Sequence, residues 1–273
     1  MTEISPDFGS FTIRMPTPEE HRAVSLKWLA RIQPTLIDQW PAELSALSIP
    51  TKLLELDVDR LWQDLCDLHD GKGVGDYIKV LGLALDHNIG WERKFIRLNS
   101  RSPKDNTFPF EVPATISGKE AAMMLMGSMR VMDDLMEFRW VPEQRAYVAV
   151  RDFMPQIRAE NEYRCFVKGG DLIAVTHYDY TKPTPEWISR EAADIRAMID
   201  EYFAAKLKPV LHLDTVVFDV AIFADKSVIL IEINPYGLSD PCHFGSYDHV
   251  ENASSFIQTS TPSNARREER AAS

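Results

Sequence analysis

The stretch from residues 215 to 240 constrains the fold of this chain more than any other. It contains two strands rich in Val, Ile and Phe joined by a short polar turn, a pattern typical of a β-hairpin. With Asp225–Lys226 at the centre of the turn, Asp219 lies directly opposite Glu232. Because side chains alternate along a strand, Asn234 shares the face of these two acids.

Two carboxylates that face each other in an apolar hairpin are costly, because like charges on directly opposite residues destabilise a sheet. Either a cation lies between them or one of them is protonated. Asp219, Glu232 and the amide oxygen of Asn234 form an all-oxygen ligand set that suits Mg²⁺, especially when phosphates complete the shell. The alternative is a surface hairpin with a solvated polar face. Four apolar residues predicted on the same face argue against that alternative: Val217, Ala221, Val228 and Leu230.

Charge and cysteine content exclude several classes of function. The formal net charge is -11 and the sequence pI about 5.1, which argues against general binding to nucleic acid or to an anionic membrane. The three cysteines are widely spaced and odd in number, so neither a disulfide scaffold nor a structural zinc site is expected. The sequence shows neither a signal-peptide pattern nor a membrane span, and we expect a cytoplasmic protein.

Helical patterns dominate the first ninety residues and recur between the strands. Thr17 and Glu20 form a capping box with Pro18 at the first helical position, which predicts a helix start. Between this helix and the next, Pro41 and Pro50 indicate a loop-rich connection. The predicted helices cover about residues 18–33, 57–68, 76–87, 117–138 and 185–207.

A cationic strand follows the N-terminal helices. Residues 94–98 predict a short strand, and Arg97 and Asn99 share one of its faces. A turn at residues 102–105 then presents Lys104. Both cations are suited to holding a phosphate group. Taken alone, the segment is equally compatible with solvated strand ends.

A second hairpin is centred on Gly169–Gly170, which is a strong turn signal between two apolar strands. Pairing about the two glycines places Glu162, Arg164 and His177 on one face. Two interpretations stay open for Arg164: it forms a buried pair with Glu162, or it faces a phosphate or substrate.

Three of these stretches, in this order, resemble motifs of the cell-division-cycle-123 family of ATP-grasp proteins. Residues 97–105 resemble its K-L-N-x-x-x-P-K/R-D motif, and residues 162–167 are similar to its E-F-R-C-F-V strand. The terminal hairpin resembles its metal-binding end: Asp219, Glu232, Asn234, Pro235 and Gly237. The resemblance covers about residues 95–244.

The resemblance implies an α+β fold of the ATP-grasp type, with two subdomains whose antiparallel sheets grip ATP. It implies an N-terminal subdomain at 91–150 and a C-terminal subdomain at 151–258. The sequence pattern predicts a mostly helical segment at 1–90, where no family match is found, and a disordered tail at 259–273. The order of hairpins and intervening helices agrees with this fold class.

The resemblance also implies roles for individual residues. Arg97 and Lys104 contact the ATP phosphates, the strand end Arg151, Asp152 and Phe153 forms the adenine hinge, and Arg164 stabilises a transferred group. His177 joins the cofactor-binding set through the face it is predicted to share with Arg164. The predicted metal is Mg²⁺, held by Asp219, Glu232 and Asn234. One departure is that Arg97 occupies the position of the family's nucleotide-contacting lysine.

Two functions follow. The first is a ligase-like enzyme that phosphorylates a carboxylate with ATP and passes the acyl group to an amine acceptor, small molecule or protein. The second, implied by the resemblance, is a nucleotide-binding chaperone that assembles eukaryotic translation initiation factor two through its gamma subunit. From the facing acids we also expect that Asp219→Asn or Glu232→Gln weakens Mg²⁺-ATP binding and raises the stability of the ligand-free protein.

Overall fold

The protein is built on two antiparallel four-stranded sheets. The computed structural model describes residues 16–106, 112–253, 257 and 259. The predicted tail at 259–273 lies, apart from Thr259, outside the described residues. The first sheet has the order β1-β4-β2-β3, with β1 (Thr51–Leu56), β2 (Lys94–Leu98), β3 (Ala114–Thr115) and β4 (Ala146–Asp152). The second has the order β6-β5-β7-β8, with β5 (Glu162–Lys168), β6 (Asp171–His177), β7 (Val216–Ile222) and β8 (Val228–Asn234).

Helices cover each sheet, and we call each sheet with its helices a lobe. The N-terminal lobe holds α1 (Pro18–Ile32), α3 (Val58–His69), α4 (Asp76–Ile89), α5 (Gly118–Met126) and α6 (Met129–Arg139). The C-terminal lobe holds α7 (Glu186–Arg190), α8 (Ala192–Tyr202) and α9 (Tyr247–Glu251). Between α1 and β1 lies the short α2 (Ala42–Ser45). The capping box at Thr17 and Glu20 is confirmed.

Two predicted helices are interrupted. The helix expected over 117–138 is two helices, because Gly127 ends α5 and the Ser128 hydroxyl accepts the Val131 N–H as the cap of α6. The helix expected over 185–207 is α7 and α8, followed by a π-helical turn at Phe203–Leu207. In the first case the interruption follows local capping chemistry, which outweighs the continuous apolar pattern.

Strand β1 lies where the sequence predicts a loop-rich connection, and that prediction is wrong for Thr51–Leu56. It pairs with β4 over six residues, from Thr51 opposite Arg151 to Leu56 opposite Ala146. It is an edge strand with little burial, so its sequence TKLLEL lacks the regular apolar alternation of a strand with one covered face.

Each lobe has its own hydrophobic core, and the segment from Gln33 to Pro50 contributes to both. Leu36 packs in the core of the N-terminal lobe, whereas Trp40 and Leu44 pack in that of the C-terminal lobe. We call residues 33–50 the crossing segment. Because this segment is packed on both sides, it ties the lobes together. Each helix in the described residues is too short or too polar to span a bilayer.

Candidate functional site

The terminal hairpin places the two acids as the sequence predicts. Asp219 pairs with Glu232, and Val217 pairs with Asn234. The turn differs, because the Phe223 N–H bonds to the Ser227 carbonyl at 2.9 Å and the loop is therefore one residue longer than a two-residue turn. A β-bulge between Leu230 and Glu232 then restores the predicted pairing, since one extra residue on β8 offsets the longer loop.

The bulge also changes which side chains share the sheet face of the two acids. Leu230 pairs with Val220 and lies in the core of the C-terminal lobe, and Val228 packs against the same core. The prediction that these two side chains share the face of the acids is wrong, because on the turn side of the bulge the alternation is reversed. Val217 and Ala221 lie on β7, which carries no extra residue and keeps its alternation, and both are fully buried.

Arginines, one from each sheet, neutralise the acids. Arg164 on β5 donates from Nε and from Nη2 to the two oxygens of Asp219, each at 2.8 Å. Asn234 donates its amide to the same carboxylate at 3.2 Å. Arg97 on β2 donates to Glu232 across the gap between the lobes. In this structure two guanidinium groups are therefore the cations that neutralise the facing acids.

Electrostatics in this cluster favours the charged forms of Arg164 and Glu232 despite burial, whereas burial raises the pKa of Asp219. Burial opposes the charge of Arg164, yet the Asp219 carboxylate outweighs it and raises the guanidinium pKa well above its usual range. Burial likewise opposes ionisation of Glu232, but the cations Arg97, Lys104 and Arg164 together hold its pKa well below the ordinary value. Arg97 is 3 % exposed, so the alternative of a solvated strand end does not hold for it.

A cleft of about 610 Å³ opens over these pairs and is lined from both lobes. Lys104 reaches across it to the Tyr178 hydroxyl at 2.5 Å, and Arg164 lies 4.8 Å from the centre of the Tyr178 ring. Glu162 lies in the same cleft, where burial raises its pKa to about 7. Tyr178 is a cleft residue that the predictions from sequence do not include. The sequence feature that could have indicated it is the aromatic YDY run directly after β6.

The predicted hinge residues also line the cleft, with unequal roles. Arg151 is 2 % exposed and points away from solvent, into the contact between the lobes. Asp152 accepts a bond from Lys94 at 2.8 Å. The ring of Phe153 lies 4.5 Å from the guanidinium carbon of Arg93, at the apolar end of the cleft.

His177 does not share the face of Arg164, and that prediction is wrong. A β-bulge between Phe166 and Val167 shifts the register, so that His177 pairs with Tyr163 and Arg164 pairs with Thr176. His177 is buried, its Nε2 lies 2.9 Å from the Ala159 carbonyl oxygen, and it is outside the lining of the cleft. The turn at the two glycines is confirmed, but no sequence pattern in this hairpin predicts the bulge that moves His177 to the other face.

His177 makes the stability of the fold depend on pH. Burial lowers its pKa, so below about pH 6.5 the unfolded chain binds a proton that the folded chain does not. Stability is therefore lost as pH falls through that range. We expect the change in unfolding free energy between about pH 7.5 and about pH 5.5 to be smaller in His177→Gln than in the parent protein. Urea denaturation at both pH values measures it, and equal changes in the two proteins would contradict the assignment.

Metal ligation is restricted by the arginine pairs. The part of the chain that the structure describes contains no group of three or more His, Cys, Asp or Glu side chains that could hold a metal ion. The predicted set of Asp219, Glu232 and Asn234 has an amide as its third member and suits a hard divalent cation in its donor chemistry. It becomes available to a metal only when Arg164 and Arg97 take other partners.

The architecture is that of an α+β protein with two antiparallel sheets flanking a cleft, as the sequence predicts. Cdc123 from Schizosaccharomyces pombe has the same fold, with a TM-score of 0.67 over 83% of this chain and 93% of that chain at 21% identity. A C-terminally truncated form of that protein matches with a TM-score of 0.66 at 22% identity. At this identity the likeness concerns the fold alone.

A family model described as D123 matches residues 88–270, and the chain belongs to this family. The resemblance drawn from the motifs is thereby confirmed. A translation initiation factor eIF2 assembly protein from Xenopus tropicalis is 34% identical over 76 residues, which are 28% of this chain and 22% of that protein. A protein of the same description from Xenopus laevis is 32% identical over the same length. The match thus spans about a fifth of these curated relatives.

Proposed function

We propose that this protein binds Mg²⁺-ATP between its lobes and acts as an assembly factor for a protein partner of the eIF2 type. The observation that carries the nucleotide part is the cleft in which cations from both sheets surround a facing pair of acids. Arg97 and Lys104 come from the N-terminal lobe and Arg164 from the C-terminal lobe. Three cationic side chains that line one cleft form a suitable binding site for a polyphosphate.

The cleft combines cationic and apolar lining, as a nucleotide requires. The cations Arg97, Lys104 and Arg164 line it together with five apolar side chains: Phe95, Val112, Phe153, Met154 and Ile157. We expect a purine ring to pack against these apolar side chains while its phosphates reach the cations.

Binding of the nucleotide with its metal requires an exchange of partners. Asp219, Glu232 and Asn234 would hold Mg²⁺, which neutralises phosphate charge and fixes the orientation of the phosphates. Arg164 and Arg97, released from the acids, then pair with phosphate oxygens. Every buried charge keeps a partner in both states, so the exchange avoids the cost of an uncompensated buried ion.

An assembly role has more support than a ligase. The curated relatives are described as translation initiation factor eIF2 assembly proteins, and a stretch of 76 residues of this chain matches them. The ligase hypothesis has as its support the acid–acid–Asn set, which an ATP-binding protein without turnover also needs. We therefore propose that ATP binding, rather than acyl transfer, is the activity of the site.

Calorimetry and a turnover assay test the proposal together. Titration of the full chain with Mg²⁺-ATP should show one site, and ligand at about 100 times its dissociation constant should raise the unfolding free energy by about 2.7 kcal/mol. ADP release should stay at the uncatalysed rate when carboxylate and amine acceptors are added. An absence of binding would refute the nucleotide site, and acceptor-dependent ADP release would favour the ligase.

The partner is tested by measuring the affinity of the chain for isolated eIF2 subunits with and without Mg²⁺-ATP. We expect binding to one subunit and a change in affinity when the cleft is filled. A matched control is Arg145→Ala, which removes an exposed ion pair with Glu55 at 2.8 Å outside the cleft. Failure of every subunit to bind would contradict the assembly role while leaving nucleotide binding intact.

A further inference from the structure

The β-bulge at Ile231 determines where Glu232 lies. Val220 pairs with Leu230 and Asp219 pairs with Glu232, so Ile231 is the extra residue on β8. Without this extra residue, the register beyond it would place Ile231 opposite Asp219 and turn Glu232 toward the core of the C-terminal lobe. The facing pair of acids therefore exists only while the bulge is kept.

The carbonyl groups of the bulge are bonded by side chains from outside the second sheet. The Ser48 hydroxyl donates to the Leu230 carbonyl at 2.7 Å, and Arg151 Nη1 donates to the Ile231 carbonyl at 2.8 Å. Arg151 Nη2 also donates to the Ser48 hydroxyl at 2.8 Å. Ser48 belongs to the crossing segment and Arg151 to β4 of the N-terminal lobe. The bulge of the C-terminal lobe is thus held by Arg151 from the other lobe and by Ser48 from the crossing segment.

The Arg151 guanidinium is buried at a cost that its bonds to Ser48 and to the Ile231 carbonyl must offset. The side chain is almost fully buried, and its hydrogen-bond partners in the described part of the chain are neutral: Ser48, Thr51 and Ile231. Burial and the nearby charge of Arg97 lower its pKa to about 9. A buried guanidinium without a bonded carboxylate is costly, so its bonds to the bulge and its proximity to Glu232 have to offset that cost.

We propose that Ser48 and Arg151 are positioning residues: Ser48 from the crossing segment and Arg151 from across the gap between the lobes fix the Ile231 bulge, and so make the presentation of Glu232 to the cleft depend on lobe contact. We call these two residues with the Ile231 carbonyl the bulge clamp. The clamp acts on the ligand-free protein, and its effect on Mg²⁺-ATP rests on the proposed function. It couples the relative position of the lobes to the acid pair, since separation of the lobes breaks the bonds that hold the register.

Hydrogen exchange on the ligand-free full chain tests the clamp without any nucleotide. In Ser48→Ala we expect amide exchange in residues 228–234 to accelerate by at least about fivefold, because a backbone carbonyl of the bulge loses its donor. Ser25→Ala is the matched control, since Ser25 is also buried and donates to a backbone carbonyl, that of His21 at 3.0 Å. Equal exchange in residues 228–234 of both variants and the parent would overturn the clamp.

Nucleotide titration then tests the consequence for the site. In Ser48→Ala, the gain in ATP affinity on adding Mg²⁺ should fall by at least about fivefold, while ATP affinity without metal stays within about twofold of the parent. Arg151→Lys should also reduce the gain in ATP affinity on adding Mg²⁺, because a single ammonium group cannot reproduce the forked bonds of the guanidinium. Equal loss of both affinities would indicate general disorder and overturn the positioning role. If the parent binds no ATP, the proposed function fails, and the exchange experiment alone decides on the clamp.

Discussion

Replacing Arg164 by methionine will destabilise the folded protein by about 3–5 kcal/mol, the range measured when one partner of a buried ion pair is removed. Asp219 is 0 % exposed, and both of its oxygens accept bonds from Arg164. Without the guanidinium, the amide of Asn234 at 3.2 Å is the one donor that remains to the carboxylate among the side chains that the structure describes. It must then either stay charged in a buried site or take up a proton, and both alternatives cost folding free energy.

Urea denaturation of three variants separates this effect from a loss of packing. Arg164→Met alone should show the full loss, and Arg164→Met with Asp219→Asn should recover about half or more of it, because the pair is removed together. Arg145→Ala removes an exposed ion pair and should leave stability unchanged. If the double variant is as unstable as the single one, the loss arises from the cavity, and the ion pair is not its cause.

The sequence predicted the facing acids because that inference depends on a local pattern. Strand alternation and the approximate centre of one turn suffice to bring Asp219 opposite Glu232. The predicted pairing is correct although the turn is one residue longer than predicted, because the bulge at Ile231 compensates for the longer loop. Alternation fails where a second bulge intervenes, as it does for His177.

The counterions of the acids depend on strand order, which a hairpin does not contain. Arg164 meets Asp219 because β5 lies next to β7, and Arg97 meets Glu232 because the two sheets face each other across the cleft. Neither relation is local in sequence. The role of Ser48 was equally hidden, since it depends on an isolated bridge to Leu230 that is 182 residues away. Long-range contacts of this kind decide how a charge is neutralised.

These contacts reverse one expectation drawn from the sequence. If the acids repelled each other directly, Asp219→Asn would raise the stability of the ligand-free protein. In the structure the substitution leaves the buried guanidinium of Arg164 without its carboxylate, and we expect a loss of about 3 kcal/mol or more. Glu232→Gln should cost less, because the amide oxygen can still accept the single bond from Arg97, whereas Asp219→Asn keeps only one of the two bonds from Arg164. Urea denaturation of both variants without ligand measures this order.

The largest effect on ligand binding is expected for Glu232→Gln. A neutral amide is a weaker ligand for Mg²⁺ than a carboxylate, so the gain in ATP affinity on adding Mg²⁺ should fall by about 10–100-fold or more. ATP affinity without metal should stay equal or rise, because Arg97 loses the carboxylate that competes with phosphate. Calorimetric titrations with and without Mg²⁺ give both values.

If the arginines exchange partners, the Mg²⁺-dependent gain in ATP affinity must fall while the ATP affinity without metal does not. A variant that merely disturbs the cleft weakens ATP binding with and without metal alike, whereas loss of a metal ligand removes only the metal-dependent part. Glu55→Gln, which affects an exposed pair with Arg145, is the matched control and should change neither value. A Glu232→Gln protein that keeps the full Mg²⁺-dependent gain would show that the metal binds without this carboxylate. The acid pair would then serve only to neutralise Arg97 and Arg164.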